Sequence, residues 1–123
     1  MRSLALAAVI LLAAAKPVPG PSAAFLKETA GRTPGPAKSC VSTFPSENLR
    51  VLDPMTLAYG NGRTVYINHL PGPCPALSQF NTLIVEAQGS QYCRGDHVRG
   101  REPGAIIPGP ICNLGDWVPY RMP

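Results

Sequence analysis

Two histidines, a cluster of arginines and four cysteines are the side chains of this chain with the most chemistry to offer. His69 and His97 are its only imidazoles. Two imidazoles can serve as general base and general acid, with a guanidinium to steady an anionic transition state. Arg94, Arg99 and Arg101 flank His97, and Arg94 is the candidate for that role. A small secreted hydrolase or nuclease is therefore one reading of the sequence. The competing reading puts both histidines on the surface or in loops. The chain has no G-x-S-x-G elbow, H-E-x-x-H helix or phosphate-binding loop. No residue is assigned a catalytic role with these signals alone, and no cofactor is implied.

Cys40, Cys74, Cys93 and Cys112 are spaced by 34, 19 and 19 positions. Zinc sites favour close pairs such as C-x₂-C, so no metal site is expected. An even number of cysteines in a small exported domain points to two disulfides. Sequence leaves three pairings open. Cys40–Cys112 with Cys74–Cys93 is favoured, because first and last strands often meet in small barrels. Arg94-Gly95-Asp96 spells an integrin-type tripeptide, but its residue types equally make a turn eased by glycine and capped by the aspartate. The run Leu70 to Leu77 holds three prolines and Cys74. It is too proline-rich to pair as a strand, and a rigid loop of this kind suits binding because it is already ordered. Pro71, Gly72 and Pro73 are its candidate contact residues, and a protease-inhibitor-like module is a further alternative. Trp117 and Tyr120 read as packing residues.

The elements that must hold these residues are short. The texture from Cys40 onward is β. Strands are expected at 48–53, 56–59, 63–68, 82–87, 91–98 (interrupted near Gly95) and 111–120 in one or two pieces. Asp53-Pro54 starts a turn. Asn61-Gly62 between two β-rich runs predicts a type I′ hairpin, with Leu57 and Tyr59 facing Val65 and Ile67. The expectation is a mostly β fold, a small twisted antiparallel sheet or partly open barrel of five or six short strands, stapled by disulfides.

Met1-Arg2-Ser3 is basic, and Leu4 to Ala15 is apolar throughout. That run is shorter than the roughly 20 residues a bilayer-spanning helix needs. With small residues downstream it reads as a secretory signal peptide over 1–24, cut after Ala24, with Ala15 as the alternative. Residues 25–39 read as a Pro/Gly-rich linker, a mobile arm on which Phe25-Leu26 could dock. Residues 40–123 form the domain. Loss of Arg2 and Lys16 would leave nine basic against seven acidic residues. From Cys40 onward six Arg balance six acidic residues, so no basic footprint for nucleic acid is expected. The 45% hydrophobic and 15% charged content argues against wholesale disorder.

Several landmarks recur together: Cys40 followed by Leu49-Arg50-Val51-Leu52-Asp53 and Thr56-Leu57; Gly60–Asn68 with Val65-Tyr66; Leu70-Pro71 with Cys74-Pro75-Ala76-Leu77; then Ser90, Cys93 and Asp96, with Cys112-Asn113-Leu114-Gly115, Trp117 and Pro119. In these the chain resembles a family of small exported bacterial proteins classified only as a domain of unknown function. The resemblance implies an exported domain alone behind a signal peptide, and it carries no activity or site residues. The leading expectation is a non-catalytic binding or envelope-associated module of the periplasm or exterior, whose partner is an envelope or extracellular protein.

Overall fold

The computed structural model describes residues 9, 20–44 and 48–123. Most of the expected signal peptide lies outside the described residues. Its expected cleavage point, Ala24, falls within a short helix, α1 (Ala23–Thr29).

Among the described residues, ten short strands and α1 make up the regular structure. The principal sheet runs β1 (Thr33–Pro34), β10 (Trp117–Arg121), β5 (Thr64–His69), β4 (Thr56–Tyr59) and β3 (Leu49–Asp53), antiparallel throughout. A two-stranded ribbon joins β2 (Cys40–Ser42) to β7 (Gln91–Cys93). A three-stranded sheet orders β6 (Thr82–Glu86), β8 (His97–Arg101) and β9 (Cys112–Asn113). The fold is mostly β, as the sequence predicts, but it divides into three sheets that do not close into a barrel. The expected 91–98 strand is two strands, β7 and β8, because Arg94-Gly95-Asp96 turns the chain between them.

The central hairpin forms, but in another register. Among the described residues none except glycine has a positive φ, so Asn61 does not take the first position of a type I′ turn. Gly60 and Gly62 take the positive φ values, and a wider loop closes on the pair Tyr59↔Tyr66. Leu57 therefore lies opposite Asn68, and Ala58 opposite Ile67, rather than Leu57 and Tyr59 facing Val65 and Ile67. Alternation along a strand then sends these residues to opposite faces. Leu57 and Tyr59 join Trp117, Leu70, Leu77, Val98, Leu114, Val41 and Cys74 in the larger core. Ala58, Val65 and Ile67 build a second cluster on the other face, covered by Phe25, Leu52 and Tyr120. The sheet is thus buried on both sides, which is why all four residues of β4 are buried.

Residues 25–39 do not hang free as the linker reading expects. Phe25 packs edge-on against Tyr120, with ring centroids 5.9 Å apart. Thr33 and Pro34 pair with Arg121 and Tyr120, Gly35 N donates to Pro119 O at 2.7 Å, and Lys38 exchanges two backbone hydrogen bonds with Trp117. Composition signalled a linker because prolines cannot sustain a central strand. They are tolerated here because β1 is an edge. Pro119 fits for a related reason. Its carbonyl faces Gly35, so its missing amide also points to the β1 side and costs the β10–β5 pairing nothing.

The disulfides are Cys40–Cys93 and Cys74–Cys112, and no described cysteine is free. The expected pairs Cys40–Cys112 and Cys74–Cys93 are corrected. Their premise was that the first and last strands meet; β1 and β10 do pair, but neither carries a cysteine. Cys40 instead lies on β2, directly opposite Cys93 on β7, while the final strand β10 is interior to the principal sheet. Cys112 on β9 clamps the proline-rich loop at Cys74, which is fully buried.

Candidate functional site

The arginine and the two histidines have different partners, and His69 shares a groove with Pro73 of the proline loop. His97 opens β8 and approaches the Glu86 carboxylate at 3.4 Å, both half-exposed. Arg94 faces Asp116 at 3.7 Å on the surface, an arrangement worth little to stability. His69 ends β5 on the principal sheet and contacts Thr56 and Phe25. The structure does not bring His69, His97 and Arg94 into one constellation. Arg94-Gly95-Asp96 is a tight turn. Gly95 has φ +86°, Cys93 N donates to Asp96 Oδ2 at 2.7 Å, and Asp96 N donates to Cys93 O at 3.0 Å. A carboxylate bound by its own turn is a structural cap.

The proline loop is pinned at both ends. Leu70, Cys74 and Leu77 are buried, while Pro71 and Pro73 are exposed and Gly72 is half-buried. Leu70 N donates to Met55 O at 2.8 Å, and Cys74 N to Pro54 O at 2.9 Å. The loop therefore lies along the β3–β4 turn with a short Pro71-Gly72-Pro73 crest.

That turn borders a groove of about 630 Å³, lined by Gly20, Ser22, Phe25, Asp53, Met55, His69 and neighbouring prolines. The volume falls within the usual range for small-ligand sites. Its walls follow from local sequence. Asp53 ends β3, and Pro54 holds the following turn, so Asp53 Oδ1 accepts Met55 N at 2.9 Å. Ser22 caps α1, accepting Phe25 N at 3.2 Å, and its hydroxyl donates to Asp53 Oδ2 at 2.7 Å. One hydroxyl thus fixes the helix start to the turn. Glu28 of α1 forms an ion pair with Arg50 of β3, which holds the helix along the sheet edge. Phe25 is thereby held beside His69, with ring centroids 5.3 Å apart.

Burial alone would raise the Asp53 carboxyl. Hydrogen bonds from Ser22, the Met55 amide and Thr56, with the charge of His69, outweigh it and leave the pKa below the ordinary carboxylate value. Such a group stabilises the fold above its unfolded pKa and loses that contribution as pH falls through the lower, folded value. Urea-unfolding stability should therefore fall below about pH 4, and Asp53→Asn should flatten that fall. Equal acid slopes in the two proteins would show that Asp53 gains nothing from these partners.

Sequence reasoning picked out His69 and Pro73 of this site. It missed Ser22, Phe25 and Thr56, and saw Asp53 only as a turn residue. The Asp-Pro dipeptide signals the turn, but nothing local signals a hydroxyl arriving from 31 positions away. Among the described residues no group of His, Cys, Asp or Glu is placed to hold a metal ion. Comparison with protein-family models, curated proteins and solved structures gives no match.

Proposed function

We propose that this protein is an exported, disulfide-stapled binding domain, released by a cut after Ala15 rather than Ala24 so that Gly20, Pro21 and Ser22 are retained, and that its recognition site is the groove between α1 and the β3–β4 turn. The observation that carries this reading is the groove itself: an open, largely apolar concavity held rigid by the Ser22–Asp53 and Pro54–Cys74 hydrogen bonds. Two disulfides favour an oxidising compartment outside the cytoplasm. Among the described residues no helix is long and apolar enough to cross a membrane. The basic, apolar start of the sequence and the resemblance to small exported bacterial domains support the same address, in the periplasm or beyond it. A binding role is favoured over hydrolysis because His69 and His97 sit on different sheets with different partners.

The test is a ¹H–¹⁵N titration of the full chain with a set of aromatic and aliphatic fragments. Shifts are expected to cluster at Phe25, Met55, Thr56 and His69. Shifts clustering at His97 and Glu86, or none at all, would overturn the assignment of the groove.

A further inference from the structure

The chemistry of the groove narrows what it takes. The β3–β4 turn has its backbone groups already engaged. Met55 N donates to Asp53, Met55 O accepts Leu70 N, Pro54 O accepts Cys74 N, and Pro54 has no amide. An extended peptide laid along this wall finds no open ladder there, so the ligand is read by side chains. Most of those are apolar: Phe25, Met55 and the prolines 21, 54 and 73. Phe25 and His69 present two rings side by side.

The charged side chains lining the groove are few. No Lys or Arg lines it, and among the described residues Asp53 has no ion-pair partner from either type. It accepts hydrogen bonds from Ser22, the Met55 amide and Thr56, while a carboxylate has about four lone-pair sites. The wall thus carries one oriented carboxylate with unused acceptor capacity, beside an aromatic face that favours cations.

Resting on the binding role proposed above, we infer that the groove recognises a small organic cation, an ammonium borne on an apolar or aromatic body, with Asp53 as its counter-charge. The ammonium donates to the remaining lone-pair site of Asp53, and the body lies against Phe25, Met55 and Pro73. The Ser22 hydroxyl and the Met55 amide keep the carboxylate aimed before the ligand arrives, which lowers the cost of binding.

The probes are 4-phenylbutylamine, 4-phenylbutan-1-ol and 4-phenylbutyrate, titrated into the full chain at about pH 7.5, where the amine is a cation. The amine should bind about tenfold more tightly than the alcohol, as a charge-assisted hydrogen bond implies, and the carboxylate more weakly than either. Asp53→Asn should bring the amine down to the alcohol. Because that variant also disturbs the turn, Met55→Lys provides a second arm. Met55 is exposed and engages Asp53 only through its backbone. A lysine there costs both probes the Met55 contact, but by competing for Asp53 it should weaken the amine about tenfold more than the alcohol. Amine and alcohol binding equally at the groove would sink the cation inference and leave the groove's binding role standing. Failure of all three probes would remove both. An arginine-containing tripeptide that outcompetes the amine would overturn the small-molecule assignment.

Discussion

Replacing Cys74 and Cys112 together by alanine is expected to lower folding stability by about 2–5 kcal/mol, and the Tm by about 10 °C or more for a domain of this size. The same change at Cys40 and Cys93 should cost less. Chain entropy alone predicts the reverse order. The Cys40–Cys93 link spans 53 residues and the Cys74–Cys112 link 38, and the longer loop is favoured by only about 0.3 kcal/mol. Packing works the other way and is larger. Cys74 is fully buried among Leu70, Leu77 and Trp117, whereas Cys93 is only partly buried on a two-stranded ribbon. Removing a buried sulfur leaves a void as well as a longer unfolded chain. Cys74 also holds the proline loop against the β3–β4 turn, so its loss should loosen the wall of the groove. Urea denaturation of the two double variants, under the same oxidising conditions, decides the order. A Cys40/Cys93 variant that proves the less stable would show that chain entropy, not burial, sets the value of these links.

Asn68→Ala should cost about 2–5 kcal/mol, more than most single changes in a domain of this size. Asn68 is fully buried. Its Nδ2 donates to Gly115 O at 2.8 Å, and its Oδ1 accepts Gly115 N at 2.8 Å. One side chain therefore satisfies both backbone groups of one residue, as a neighbouring strand would. Truncation leaves a buried donor and a buried acceptor unpaired at once, each worth roughly 1–3 kcal/mol. The chain cannot relax toward a new partner easily. A Cβ on Gly115 would lie 2.3 Å from His69 O, so the two backbones are already in contact. Amide exchange at Gly115 should rise with the loss of stability. A cost under about 1 kcal/mol, with Gly115 still protected, would mean that water or another group takes over both bonds.

The parts of this fold that were legible in the sequence are those set by near neighbours. Thr82 to Val85 reads as a strand because its residues are β-branched or aliphatic, and β6 forms there. Asp53-Pro54 reads as a turn, and the carboxylate caps it. Arg94-Gly95-Asp96 reads as a turn before it reads as a ligand, and its hydrogen bonds are those of a turn. The parts that were not legible depend on distant residues. Val65 and Ile67 look like partners of Leu57 and Tyr59 until the glycines at 60 and 62 widen the loop. Phe25 looks like the start of a linker until the second face of the sheet needs covering. The groove is least legible of all, because Ser22, Asp53 and His69 come from a helix cap, a turn and a strand end.

The outermost strand of the principal sheet has a wider consequence. A bare strand edge offers amides and carbonyls on which another polypeptide can stack, and unprotected edges are where soluble β proteins begin to aggregate. Here Pro34 lies on that strand and Pro36 just beyond it, and neither has a proton to donate. Thr33, Gly35 and Lys38 are already turned inward to β10. The rim that sequence composition marks as a tether thus resists fibril growth: a neighbouring molecule arriving there finds gaps where a ladder would have to begin.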